Sequence, residues 1–132
     1  MMIPRIYAAD DGGSRFADVE IPFTIAPTTA GMPDMQSSAR MPSSTFQLIA
    51  TPPSAIADGW HPTPRRQFVL FLRGSLDIQT TDGEIRRFDP GMMLFVEDTS
   101  GKGHLNHKIG DDDLLLGFVA VPDDFVLQRR PT

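Results

Sequence analysis

The stretch WHPTPRRQFVLFLRG, from Trp60 to Gly74, is the strongest guide to the fold of this chain. It opens with a histidine and two prolines, turns into the run QFVLFLR over 67–73, and ends in a turn glycine. The run is apolar at odd and even positions alike, which is typical of a strand covered on both faces. The rest of the chain must therefore supply a layer on each side of this strand.

A second stretch, GMMLFVEDTSGKGHLNH from Gly91 to His107, has the same parts in reverse order: glycine, apolar strand, polar loop, histidines. Asp82-Gly83 is the strongest hairpin signal in the chain. Short strands that recur about every 8–12 residues, with turn residues between them, indicate an all-β sandwich or barrel. The further strands are predicted at 3–8, 16–23, 45–50, 75–81, 84–88, 92–96, 104–109 and 114–121.

The composition narrows the possible classes of protein. A chain of 132 residues suits one domain with a core of its own. The net charge of −5 and the lack of a large basic cluster argue against nucleic acid as a partner. No apolar run has the length of a membrane span and the first residues do not resemble a signal peptide, so we expect a cytoplasmic protein without a membrane partner. The absence of cysteine excludes thiolate chemistry and disulfides.

We divide the chain into N-terminal strands with a Pro-rich arm (1–44), a β-barrel (45–121) and a C-terminal tail (122–132). Between 22 and 44 the sequence holds four prolines and three methionines and shows little periodicity. This arm is either a surface loop or a segment that lies over the barrel mouth or across a second subunit. The tail is polar, and we expect it to fray.

Strand parity indicates which side chains share a pocket. Side chains two positions apart in a strand point to the same face. His61, Thr63, Arg65 and Gln67 all stand at odd positions, so all four could face inwards from one strand and its entry. Pro64 could bend the chain and spoil this count for the residues before it.

These positions resemble the first motif of the cupin superfamily. In that motif a histidine is followed by a second histidine two residues later, a glutamate four residues after that, and a glycine seven residues further on. The corresponding positions here hold His61, Thr63, Gln67 and Gly74, with every spacing kept.

The second stretch resembles the second cupin motif, which runs from a glycine through a strand and a turn to a histidine. Gly91 opens it and His104 is the matching histidine, although the loop 97–103 is about two residues longer than usual and lacks the family's prolines. Asn106 does not have the spacing of the family's asparagine. The resemblance covers about residues 45–121, and it implies a double-stranded β-helix, or jelly roll, with a pocket inside the barrel.

The resemblance also implies a metal site. Metal-binding cupins offer three imidazoles and one carboxylate, whereas this sequence has Thr63 and the neutral Gln67 at two of those positions. The candidate ligands are His61, Gln67, His104 and His107, and His107 needs a bulge because it lies three residues beyond His104. The candidate cofactor is a divalent ion of nickel, zinc, iron or manganese.

Each candidate residue has a functional and a plain interpretation. His61 and His104 are the candidate catalytic residues, as metal ligands or proton shuttles; a histidine beside prolines is otherwise a loop residue. Arg65 is a candidate clamp for a carboxylate, Gln67 would orient the substrate, and Lys102 could reach the pocket mouth. Arg65 and Lys102 would otherwise be solvated charges.

Two functions of different class follow. The first is the binding of a small, anionic organic molecule in the barrel, with a metal-dependent reaction of the dioxygenase, isomerase or lyase type. The second is a non-catalytic ligand-binding or sensor module without a tightly bound metal. The apolar runs 67–72 and 114–121 offer more hydrophobic surface than one barrel interior needs, so we also expect a homodimer that buries part of these strands or of the arm.

Overall fold

A computed structural model describes residues 1–27, 30–52 and 59–127 of the chain. Regular structure within these residues is entirely β. No helix among them is long and apolar enough to cross a membrane. The strands are β1 (Met2–Ala8), β2 (Ser14–Glu20), β3 (Phe23–Pro27), β4 (Asp34–Ser38), β5 (Thr45–Thr51), β6 (Gln67–Arg73), β7 (Ser75–Gln79), β8 (Ile85–Phe88), β9 (Met93–Glu97), β10 (Leu105–Ile109) and β11 (Leu114–Ala120).

The strands form three sheets. The largest has six strands in the order β2-β1-β9-β6-β11-β5, the second has the order β10-β7-β8, and β3 pairs with β4 alone. β1 and β9 run parallel, whereas β6 is antiparallel to both of its neighbours, β9 and β11. β6, which lies in the stretch Trp60–Gly74, is therefore inside the largest sheet with a partner on each side.

The six-stranded and three-stranded sheets face each other, and the hydrophobic cluster between them is the inner core. Every second side chain of these strands points into it. Val69 and Phe71 of β6 point into it, and the ring of Phe71 stacks on that of Phe88 at 5.0 Å between centroids. The inner core consists of Ile6, Phe16, Val69, Phe71, Leu76, Ile78, Phe88, Leu94, Val96 and Leu114.

A second cluster, the outer cluster, covers the other face of the six-stranded sheet. Phe68 and Phe95 meet there at 4.8 Å between ring centroids, and Phe125 of the C-terminal segment packs edge-on against both. Its buried residues are Ile3, Val19, Ile21, Phe68, Phe95, Val121 and Leu127. The two-sided cover that the run 67–73 predicts is thus supplied by a second sheet on one face and by the C-terminal segment on the other.

The all-β class is confirmed, and β6 has the predicted bounds. Within the described residues the strands do not close into a barrel, because β2 and β5 stand at the two edges of the six-stranded sheet. The predicted strand 16–23 ends at Glu20. The arm, predicted to lack periodic structure, contains the β3–β4 hairpin.

The prediction of a frayed tail is wrong as far as residue 127. Leu127 is buried and Phe125 is half-buried against the outer cluster, because these apolar side chains cover a sheet face that would otherwise be exposed. The remainder of the tail, 128–132, lies outside the described residues.

Candidate functional site

Two loops meet at the histidines of the two motifs. The N–H of His61 donates to the carbonyl oxygen of His104 at 3.0 Å, and the N–H of His104 donates back to the carbonyl oxygen of His61 at 3.0 Å. This isolated antiparallel bridge sets the imidazole rings side by side, with 4.9 Å between centroids and 54° between planes. We call these two residues the histidine pair.

Gly103 allows the two backbones to approach this closely. It adopts a positive φ of 77°, and a Cβ there would lie 2.1 Å from the carbonyl carbon of His61. No L side chain fits in that space, so a glycine before His104 is a steric requirement of the histidine pair.

His104 is anchored from behind by a buried carboxylate. Its Nδ1 lies 2.6 Å from Oδ2 of Asp98, which is 0% exposed, and His104 itself is 7% exposed. The carbonyl oxygen of Asp98 accepts the N–H of Thr63 at 3.1 Å. Asp98 therefore orients one histidine and ties the loop before β10 to the segment that carries the other.

The histidine pair borders a cavity of about 110 Å³ between the six-stranded and three-stranded sheets. Its polar end is formed by His61, Thr63, Gln67, His104 and Asn106, with Pro64 beside them. Its apolar walls are Val69, Phe71, Leu76, Ile78, Leu94, Val96, Leu116 and Phe118. Since His61 is half-buried and Pro64 is exposed, the mouth of the cavity lies at its polar end.

Gln67 is buried at 5% exposure, and its amide makes no hydrogen bond to any described residue. It faces the cavity from the first position of β6. The structure therefore brings together His61, Gln67 and His104, as the two motifs predict. Thr63 lines the cavity as well, although its hydroxyl already donates to the carbonyl oxygen of Arg65 at 2.8 Å.

The two predicted cationic site residues lie outside the cavity. Arg65 is exposed, because the chain bends between Pro64 and the start of β6 and the parity count does not extend across that bend. Its role as a carboxylate clamp inside the pocket does not agree with this placement. Lys102 is also exposed, with its Nζ 4.6 Å from the centroid of the Trp60 ring.

His107 is a third correction. It pairs with Asp77 in a β10–β7 ladder of regular register, so the bulge that would turn it inwards does not form. Its side chain is exposed, and its Nε2 lies 2.9 Å from Oε1 of Gln79. His107 thus points away from the cavity, and its assignment as a metal ligand does not agree with the structure.

Asn106 belongs to the site although its motif spacing argues against it. It lines the cavity, and its Oδ1 is buried without a hydrogen-bond partner. Strand parity could have found it, because it stands two residues after His104 and shares that residue's face. Glu97, by contrast, is held by Arg5 and Arg66 away from the cavity.

The donors available to a metal are two imidazoles and the amide oxygens of Gln67 and Asn106. No group of three or more His, Cys, Asp or Glu side chains suited to a metal ion occurs in the described part of the chain. Imidazole and amide oxygen do fit divalent transition ions, and Asp98 supports His104 as a carboxylate supports a metal-bound histidine. The set is thus chemically suited to such an ion but is short of charged ligands.

A larger groove, of about 540 Å³, lies between residues 38–42 and 124–127. Its two charged side chains, Arg40 and Asp124, are exposed, and no buried polar group converges on it. Size alone does not make a site, so we take the smaller cavity, where buried polar side chains converge, as the candidate site.

No protein-family model matches the chain, and no curated protein matches it. A comparison with solved structures finds the crystal structure of protein NMB1881 from Neisseria meningitidis. The TM-score is 0.45 and the sequence identity 17%, over 58% of this chain and 72% of that one. A likeness at this level carries no argument about fold or function.

Proposed function

We propose that this chain is a small cupin-type protein that binds a small organic molecule in the cavity between its sheets. The histidine pair would contact the polar end of the ligand. The observation that supports this is the His61–His104 bridge, which sets two imidazoles beside Gln67 at an internal cavity. Apolar walls with a few convergent polar groups are typical of ligand sites.

The size of the cavity limits the ligand. An apolar cavity of about 150 Å³ holds a benzene molecule. The cavity here measures about 110 Å³, so a ligand held wholly inside it is smaller than benzene. A longer molecule would extend through the mouth past Pro64.

The cavity can be blocked to test this proposal. Leu116→Trp places a large ring at the half-buried wall of the cavity, and Leu72→Trp is the matched control at a position that is 48% exposed. A ligand-observed NMR screen of small organic molecules should find compounds that bind the wild type and Leu72→Trp but not Leu116→Trp. A screen without such compounds, or compounds that bind Leu116→Trp equally well, would contradict the proposal.

We further propose that the site can hold a divalent nickel, zinc, iron or manganese ion, weakly, as part of a metal-dependent enzyme. His61, His104 and Gln67 would hold the ion, which would supply a Lewis acid next to the bound molecule. Weak binding is expected because Gln67 adds no negative charge. Gln67→Glu should tighten binding of these ions by at least about tenfold, since opposite charges attract more strongly in a buried site than in water.

Titration of wild type and Gln67→Glu with each of the four ions measures this difference. Unchanged affinity would mean that position 67 does not face the ion. The short set of charged ligands favours the alternative, a non-catalytic ligand-binding or sensor protein. Elemental analysis of protein purified without chelators separates the two, because the alternative requires the ligand to bind while the protein carries no transition metal.

A homodimer is also proposed, but through a different surface from the one that the sequence suggests. The runs 67–72 and 114–121 are largely covered by the inner core and the outer cluster. The edge strand β5 is not: Phe46 is 62% and Leu48 is 56% exposed, and the strand carries no charge that would keep another strand away. Light scattering should give a dimer for the wild type and a monomer for Leu48→Lys.

A further inference from the structure

The protons of the histidine pair are placed by its hydrogen bonds. Nδ1 of His61 lies 3.2 Å from the carbonyl oxygen of Gly59, and Nδ1 of His104 lies 2.6 Å from Oδ2 of Asp98. A carbonyl or carboxylate oxygen can only accept, so Nδ1 must be the donor in each ring. In the neutral form of both rings Nε2 then carries a lone pair.

These two Nε2 atoms have no partner among the described residues. Asn106 adds a third free acceptor, because its Oδ1 is buried without a hydrogen-bond partner where it lines the same cavity. A buried acceptor without a partner, such as this oxygen, is costly, and a ligand that donates to it removes that cost. The polar end of the cavity is therefore rich in acceptors that need donors.

The charges around the cavity also favour a ligand that donates hydrogen bonds, because they favour a cation. Asp98 is fully buried behind His104, and its second oxygen, Oδ1, has no hydrogen-bond partner. Neither Arg65 nor Lys102 lines the cavity, and none of the lining residues is a lysine or an arginine. A negative charge in a site of low polarity attracts a cation more strongly than it would in water.

We infer that the polar end of the cavity selects ligands that donate hydrogen bonds, above all small organic cations with an amidinium or ammonium group on a short apolar body. This rests on the proposed ligand-binding function, and it reverses the anionic ligand that Arg65 suggests from the sequence. A carboxylate placed there would set its oxygens against the lone pairs of the histidine pair and the oxygen of Asn106. It would satisfy none of these acceptors, and only the side-chain amides of Gln67 and Asn106 could donate to it.

Propionamidine, propionamide and propionate form a matched series of probes. They have the same shape, and their head groups change from donors only, through one donor and one acceptor, to acceptors only. Each is titrated into the full chain at about pH 8, with a chelator present to remove metal ions. Backbone amide NMR shifts of the cavity residues report binding and give each Kd.

The protonated amidine should bind at least about tenfold more tightly than propionate, with the amide in between. Asn106→Leu, which removes the free acceptor at nearly the same volume, should reduce this preference about fivefold. Asn106→Asp keeps the position polar and should increase the preference by a similar factor. His107→Leu, on the same strand but the outer face, should leave it unchanged.

The outcomes separate the inference from the function on which it rests. Propionate binding as tightly as the amidine, or more tightly, would overturn the inference while the cavity kept its role as a ligand site. Each probe is tested up to about 50 mM, which is about fifty times a millimolar Kd. If none of the three shifts the backbone amide signals of Gln67 or Asn106, both the inference and the proposed ligand site are wrong.

Discussion

The two faces of β6 differ in what their side chains do. On the outer face, Phe68 packs into a closed group of aromatic rings with Phe95 and Phe125. On the inner face, Val69 and Phe71 join a core that stops short of Gln67 and leaves a cavity there. The same strand therefore has one face bordered by an apolar groove and one face that holds buried polar groups around a cavity.

This difference separates stability from binding. A closely packed face gains free energy from every buried methylene, and the grooves that border this one bring no buried polar group together to orient a ligand. A cavity with buried acceptors loses part of the free energy of packing, because some atoms there have no neighbour. In a binding site the ligand supplies those contacts. Substitutions on the outer face should therefore change stability alone, whereas those at the polar end of the cavity should also change binding.

Phe95→Ala should have the largest effect on stability. Phe95 is 0% exposed and contacts two aromatic rings, so its loss should reduce the free energy of unfolding by about 4 kcal/mol. Chemical denaturation measures this loss, and Phe125→Ala, at a half-buried position, should cost less. Affinity for a cavity ligand, measured on the folded protein, should not change; a loss of affinity would show that the two faces are coupled.

His104→Leu tests the polar end. It leaves the fully buried Asp98 without a partner, which should cost about 3 kcal/mol, and it should abolish ligand binding. Adding Asp98→Leu should recover most of the stability, because replacing both members of a buried pair by apolar residues is far less costly than removing one. If the double variant is no more stable than His104→Leu, the two side chains do not act as a pair.

Gly103→Ala tests the close approach of the two loops. The new methyl group would overlap the carbonyl group of His61, and the positive φ adds strain, so we expect a loss of about 2 kcal/mol and weaker ligand binding. Gly91→Ala is the control, since it has a positive φ of 94° with nothing within 4 Å of a Cβ. It should cost only about 1 kcal/mol and leave binding intact. Equal losses in the two variants would assign the effect to backbone strain alone.

Gln67→Leu should change stability least, by less than about 0.5 kcal/mol, because the Gln67 side chain makes no hydrogen bond to any described residue. Ligand affinity should nevertheless fall several-fold, since a polar group at the cavity is removed. A thermal melt combined with a ligand titration measures both quantities. A large loss of stability at unchanged affinity would show that Gln67 is a purely structural residue, like those of the outer face.

Strand positions were the most predictable feature of this chain. The run 67–73 and its glycine predict β6 with its observed bounds, because a short apolar run with proline before it and glycine after it is typical of a buried strand and too short for a usual helix. The β3–β4 hairpin could not be predicted in the same way. Its described side chains are mostly exposed, so burial imposes no alternation on their sequence.

Site residues were predictable where they continue a strand and not where the chain bends. Gln67 lies within β6, and Asn106 follows from parity with His104. Arg65 lies before the bend that starts β6, where counting by twos has no meaning. Parity also predicts the outward position of His107. Only a bulge could have turned this side chain inwards, and the β10–β7 register is regular.

The all-β class, the alternation that fills the inner core, and the two histidine-bearing motifs can all be read from the sequence. These follow from local patterns, because side-chain direction in a strand depends only on the count along the chain. The folded structure was needed to show that His61 bridges to His104, that Asp98 is buried behind it, and that Arg65 stays outside. The His61–His104 bridge joins segments far apart in sequence, and the free energy that holds it comes from the packing of whole sheets, which no single stretch encodes.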